Sequence, residues 1–348
     1  MMPLRAHLLY VGAMTLRIGE LFLLGFRGTR LPAWLIDFER AFGLGGVLLF
    51  DRDVQTGAAL RNVESPAQLR ALCDEVHALP SRPLVCIDQE GGRVRRLKPE
   101  RGFAELPSAR AFARLDAAEA RRLAEASFAE MKSLGIDFDL APVVDLDVNP
   151  ANPNIGALER SFSADPAVVR RCVLTLDAAA RRVGLGLCLK HYPGLGGAWT
   201  DSHAELTDIS ACVSDAEVAL FVELAAQVAG SAILLSHGMA KQWDPAWPVS
   251  ISAAAIGALR RALPDALLIT DDLQMQGLRA FCSTLEAARR ALAAGVDLVC
   301  IGNNLLAEEG ECVQAAASLA ALAERDATLR STLLAAQARV RARKASCG

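Results

Sequence analysis

The sequence predicts a single (β/α)8 barrel, and three observations predict it. Eight runs of roughly five apolar residues recur along the 348-residue chain, each followed by a polar or glycine turn and a helical stretch. Runs this continuous suit parallel strands buried on both faces. Helix start and stop signals punctuate the intervals between them. No Ser/Pro/Gly-rich linker divides the chain, so one domain over residues 1–348 is expected, with residues 305–348 as terminal helices. An open doubly wound sheet is the alternative, but no Gly-x-Gly-x-x-Gly follows the first run.

In chain order, the expected strands are 21–25, 47–50, 84–87, 138–144, 185–189, 232–235, 267–269 and 298–301. Ser65-Pro66 with Gln68 opens a helix as a capping box with proline at its first position, and Asp165-Pro166 uses a similar cap. Asp116 with Glu119, Ser214 with Glu217 and Ser283 with Glu286 repeat the box. In each case a side-chain oxygen satisfies backbone donors left free in the first turn. Gly135, Gly184, Gly230 and Gly295 stand where these helices should stop.

Composition narrows the functional classes. A net charge of −3 lacks the basic surface that phosphate binding requires, so no nucleic-acid partner is expected. No apolar run approaches the roughly 18–20 residues of a membrane span. The nine cysteines form no Cys-x-x-Cys pair, and Cys86, Cys188 and Cys300 sit inside strand-like runs, as buried thiols of a reducing compartment would. Arg5 before the apolar stretch 8–14 faintly resembles a secretory signal, but no Ala-x-Ala cleavage site follows. A cytoplasmic protein is expected, acting as a monomer on a small molecule without a cofactor.

A barrel of this kind builds its active site at the C-terminal ends of the strands. Those ends carry Asp88-Gln89-Glu90-Gly91-Gly92-Arg93, Asp145, Lys190-His191, Ser236-His237, Asp271-Asp272 and Gly302-Asn303. Any one of these groups could cap a helix or tie down a loop, and Asp145 is read as organising its own loop. Their convergence on one rim favours chemistry, because several buried polar groups facing one mouth need partners. After Lys190-His191 comes a loop, KHYPGLGGAWTDSH, with neither helical nor strand periodicity. Lys190 disfavours a metal there, and Asp201 with His203 supplies only two ligands. An oriented pair, with Asp201 fixing the imidazole of His203, suits acid–base work better. Asp271, a fixed carboxylate on the same rim, completes the pairing used to cleave glycosidic bonds through a covalent intermediate. An aldolase-type Schiff base on Lys190 is the rival chemistry.

The motifs DQEGGRVRRL (88–97), APVVDLDVN (141–149), IGALERSFSADP (155–166), KHYPGLGGAWTDSH (190–203) and ITDDLQM (269–275) stand in an order that resembles the glycoside hydrolase family 3 β-N-acetylglucosaminidases of the NagZ type, which act in bacterial cell-wall recycling. The resemblance runs from about Gly19 to Asn303. It implies Asp271 as nucleophile, His203 as general acid/base and Asp201 as its partner. It also implies that Asp88, Arg96, Arg160, Lys190 and His191 bind the non-reducing GlcNAc, with Met275 packing against the sugar. The implied substrate is GlcNAc β-linked to 1,6-anhydro-N-acetylmuramic acid, with or without a peptide. Asp272 receives no role. Tyr192 and Leu195 depart from the KHFPGHG usual in the family, and Leu195 removes a polar group from the loop that carries His203. A phosphorylase and a non-catalytic muropeptide sensor remain alternatives. A family 3 β-glucosidase or β-xylosidase fits less well, because those usually take their acid/base from a second domain.

Overall fold

The structure is a computed structural model that describes residues 15–200, 205–228, 230–306 and 309–347. Eight parallel strands close into a barrel in sequence order: β1 (Phe22–Gly25), β2 (Gly46–Leu49), β3 (Leu84–Ile87), β4 (Phe138–Asp139), β5 (Gly186–Tyr192), β6 (Ala232–Leu235), β7 (Leu267–Asp272) and β8 (Leu298–Ile301). Closure is made by β1 against β8, with Phe22 beside Val299 and Leu24 beside Ile301. All eight expected runs become strands. Their apolar side chains are buried because the barrel interior lies on one face and the helices on the other.

The expected caps form. Ser65, Asp116, Asp165, Ser214 and Ser283 each accept a first-turn backbone N–H. The helices they open are Pro66–His77, Ala117–Ser133, Pro166–Val183, Asp215–Gln227 and Thr284–Ala294. Gly184 and Gly295 end two of them in the left-handed conformation that a side chain would strain. Glu309–Arg325 and Ala327–Cys347 are the C-terminal helices. They pack against the barrel's N-terminal end, where Arg341 pairs with Glu20. None of the described helices is long and apolar enough to cross a membrane.

Three strands differ from expectation. β4 has two residues where seven were expected, because Pro142 has no N–H to offer the ladder and only Val143 bridges again, to Lys190. β5 and β7 instead run past their apolar residues, through Tyr192 and Asp272. Lys190, His191 and Asp271 therefore belong to strands. In both strands the register with the next strand shifts at this end, between Leu189 and Tyr192 and between Ile269 and Asp272. Such irregularities re-aim side chains at a barrel rim.

Candidate active site

The C-terminal ends of the strands surround a cavity of about 370 Å3. Its floor is apolar and includes Leu48, Leu140, Leu234 and Cys300. Asp88, Glu90, Arg160, Lys190, His191, Asp271, Asp272 and Met275 line it. The size falls within the roughly 300–1,000 Å3 of small-molecule pockets.

One wall is a continuous ionic network. Lys190 Nζ lies 2.8 Å from Asp88 Oδ1 and 2.6 Å from Glu90 Oε1. Arg160 makes a two-pronged pair with Glu90, both contacts at 2.8 Å. Arg96 Nη2 reaches Asp88 Oδ2 at 3.2 Å, and the guanidinium lies over the Phe50 ring. Burial pushes the Asp88 carboxyl up, but Lys190 and Arg96 outweigh it and hold the group below the usual carboxylate range. For Glu90, Arg160 and Lys190 likewise overcome burial and bring it down to about 2. Burial works to discharge Lys190, yet Asp88 and Glu90 raise its pKa above the ordinary value. A Schiff-base lysine needs the opposite, a depressed pKa, so the aldolase reading has no support here.

His191 extends the network. Its Nδ1 lies 2.6 Å from Asp145 Oδ2, and its Nε2 lies 3.2 Å from Arg160 Nη2. A guanidinium has only donors, so Nε2 accepts and the proton resides on Nδ1, donated to Asp145. Asp145 Oδ1 also accepts from the backbone of His191 and, at 2.8 Å, of Leu195. Asp145 does organise its loop, as expected, and it also fixes the tautomer of His191. That second role was missed. Lys190–His191 is a cis peptide, as are Ala141–Pro142 and Tyr192–Pro193.

On the β7 side, Asp271 Oδ1 accepts the backbone N–H of Asp272 at 2.9 Å. Asp272 Oδ1 accepts from the backbone of Gln274 in its own loop and of Gly302 just after β8. His237 supports this end of β7: its Nε2 is 3.0 Å from the Asp272 carbonyl, and its Nδ1 is 2.6 Å from Ser250 Oγ. Met275 is buried in the wall.

The loop after β5 is anchored through Ala198. Leu195 is buried, its carbonyl accepts from Asn152, and the Ala198 carbonyl accepts from Asn149. Gly194, Gly196 and Gly197 could serve either loop freedom or close approach. Each meets a close neighbour: a Cβ at Gly196 would fall 1.7 Å from the Leu146 carbonyl oxygen. Trp199 is 78% exposed. Asp201 and His203 lie outside the described residues.

The Glycosyl hydrolase family 3 N terminal domain matches residues 32–341. The chain belongs to glycosyl hydrolase family 3. It is 34% identical over 273 residues to a β-hexosaminidase of Thiobacillus denitrificans, covering 75% of this chain and 72% of the relative. With a β-hexosaminidase of Pseudomonas aeruginosa it shares 32% identity over 299 residues, 82% of this chain and 83% of that protein. Among solved structures, a β-N-acetylhexosaminidase from Beutenbergia cavernae matches with a TM-score of 0.82 at 28% identity, covering 95% of this chain and 99% of that one. A family 3 β-N-acetylglucosaminidase from Paenibacillus matches with a TM-score of 0.83 at 26% identity, covering 97% of this chain and 64% of that one.

The protein is thus a glycoside hydrolase. Within this family 3 barrel, the described residues Asp88, Arg160, Lys190, His191, Asp271 and Met275 all line one cavity, and Arg96 joins them through its pair with Asp88. Sequence reasoning missed Glu90 as a member. Its signal was available, since Glu90 stands two residues from Asp88 in a strand-end motif whose arginines demand counter-charges. Asp139 does not line this cavity; it lines a separate small hollow with Gln89, Glu90 and Arg160. Burial pushes its carboxyl up to about 7, although Oδ1 accepts from the Gln89 backbone at 2.9 Å.

Proposed function

We propose that the protein is a retaining exo-β-N-acetylglucosaminidase. It would remove the non-reducing terminal β-1,4-linked GlcNAc from GlcNAc–1,6-anhydro-MurNAc and its peptides, in the cytoplasm, during cell-wall recycling. The observation that carries this reading is the presence of Asp271 in the same floored cavity as the Asp88–Lys190–Glu90–Arg160 network. A cavity with a floor admits the end of a sugar chain but not its middle, which supports exo action. The network offers paired charged donors and acceptors, the chemistry that grips sugar hydroxyls and an acetamido group.

In the first step, an Asp271 oxygen attacks the anomeric carbon and the glycosidic C–O bond breaks. His203, oriented by Asp201, gives its proton to the departing oxygen. Water then loses a proton to His203 and attacks the same carbon, expelling Asp271 and releasing GlcNAc with retained configuration. Asp88, Arg96, Arg160, Lys190 and His191 hold the sugar, and Met275 packs against it.

The test is hydrolysis of 4-nitrophenyl β-N-acetylglucosaminide by the wild type, Asp271→Ala and His203→Ala, in phosphate and phosphate-free buffers. Free GlcNAc from the wild type and a loss of about 10^4-fold in Asp271→Ala support the reading. Sugar 1-phosphate in place of GlcNAc would make the protein a phosphorylase. Sugar binding without turnover would make it a sensor.

A further inference from the structure

Glu217 occupies the third position of the helix Asp215–Gln227, where a capping-box glutamate ordinarily reaches back toward the cap. Ser214 does cap the helix by accepting the Glu217 backbone N–H. The Glu217 side chain takes another course. It is 2% exposed, and Oε1 accepts the backbone N–H of Leu146 at 3.1 Å. Its carboxyl atoms stand 2.3–2.6 Å from where a Cβ on Gly194 would be, and Gly194 has φ +139°. Only glycine lets the loop come this close. Glu217 thus touches two segments at once. Leu146 follows Asp145, the carboxylate that holds the His191 ring and the Leu195 backbone. Gly194 opens the loop that runs on toward Asp201 and His203.

We propose that Glu217 is a positioning residue, whose carboxyl clamps Leu146 against Gly194 and so sets both His191 and the root of the loop that delivers His203. The inference rests on the activity proposed above. The clamp works as a neutral acid. Burial and the nearby Asp145 push Glu217 up to about 8, so at neutral pH it presents no second charge to Asp145. The other titratable groups facing this region are His191 beyond Asp145, and Cys212 from the turn before the helix, whose thiol burial and Glu217 push up. Tyr192 packs edge-on against Phe221, one turn along the helix, and burial pushes its hydroxyl up to about 12. Above pH 8, an ionised Glu217 would repel Asp145 and loosen the clamp.

The test compares Glu217→Ala, Glu217→Gln and a Cys212→Ser control with the wild type. It uses two substrates: a GlcNAc disaccharide, whose leaving group needs a proton, and 2,4-dinitrophenyl β-N-acetylglucosaminide, whose leaving group does not. A misplaced acid should cost Glu217→Ala about 100-fold in kcat/KM on the disaccharide and less than about fivefold in kcat/KM on the aryl glycoside, because kcat/KM reports the first step, before His203 is needed as a base. Glu217→Gln should restore the disaccharide rate at pH 7, and, although His203 losing its own proton makes every form decline at alkaline pH, the wild type and Cys212→Ser should decline more steeply between pH 7 and pH 9 than Glu217→Gln. Equal losses on both substrates, or an alkaline decline unchanged in Glu217→Gln, would overturn the inference. Amide hydrogen exchange reports independently of turnover. Residues 194–199 should exchange at least tenfold faster in Glu217→Ala than in wild type or Glu217→Gln, and unchanged exchange would overturn the clamp. A wild type inactive on every GlcNAc glycoside would sink the proposed activity and leave the exchange result to decide the clamp.

Discussion

The two ends of the barrel both carry buried acids paired with bases, and they use them differently. At the N-terminal end, Asp297 is fully buried between Arg260 and Arg339 and also accepts the backbone N–H of Leu268. Nearby, Asp137 accepts from the Val85 backbone, and Lys344 donates to the carbonyls of Leu44 and Ser81. These charges tie off strand ends and join helices to them. At the C-terminal end, Asp88, Glu90, Lys190 and Arg160 bond chiefly to one another and face the cavity. A partner made of backbone is permanent, whereas a side-chain partner can be exchanged for a ligand hydroxyl. Volume would choose the wrong end, because a hollow of about 560 Å3 lies between His77, Asp137 and Lys344. Buried ion pairs alone do not mark a site. Ion pairs without a backbone N–H in the pairing, lining a cavity at the C-terminal ends of the strands, do.

The largest effect expected from this contrast is at Asp271. Asp271→Asn keeps the shape of the side chain and removes the nucleophilic charge, so kcat should fall by about 10^4-fold with the thermal midpoint unchanged. A loss below tenfold would move the nucleophile elsewhere on the rim. Lys190→Met comes next and should damage both function and folding. It leaves Asp88 and Glu90 buried with one cation fewer, costing about 3–5 kcal/mol of stability, and should lower kcat/KM by about 100-fold or more. Full activity in a folded Lys190→Met would show that the network is as structural as the one at the other end.

Asp297→Asn tests the opposite end. It leaves Arg260 and Arg339 facing a neutral amide, and stability should fall by about 2–3 kcal/mol in urea titrations. With the cavity at the far end of the strands, kcat/KM should stay within about twofold at a temperature where the variant is folded. A change in KM without a change in stability would break the division between the two ends.

Much of this contrast was legible in the sequence. Continuous apolar runs give parallel strands wherever both faces are covered, and the Ser, Asp and Gly punctuation marks helix ends by local chemistry. Both signals act over a few residues. Asp88, Lys190 and Asp271 were legible because each ends such a run. The roles of Asp145 and Glu217 were not, because they depend on contacts 46 and 71 residues away in the chain, with His191 and Leu146 respectively. Glu217 was even concealed by a capping box that explained it locally. The role of the glycines in the β5 loop was illegible for a related reason. A glycine needed for close approach and one needed for freedom look alike until the neighbour is known.

The smallest effect separates buried acids near the candidate site by the sign of their linkage. Glu90 is depressed to about 2 in the folded protein against an ordinary 4.5, so its stabilising contribution is complete above pH 4.5 and is lost as the pH falls toward 2. Asp139 and Glu217 are raised to about 7 and about 8. Between pH 4 and pH 8 the folded state holds their protons more tightly than the unfolded chain, so stability declines as the pH rises through that window. Asp139→Asn and Glu217→Gln remove the titration while keeping a neutral hydrogen-bonding group. Relative to wild type, each should have a higher thermal midpoint at pH 9 than at pH 5, by a few degrees. Glu90→Gln should do the reverse, losing stability at pH 6 and little at pH 2. Parallel midpoint curves for all four proteins would mean that these carboxyls titrate alike, folded or unfolded, and that their surroundings are wetter than their burial implies.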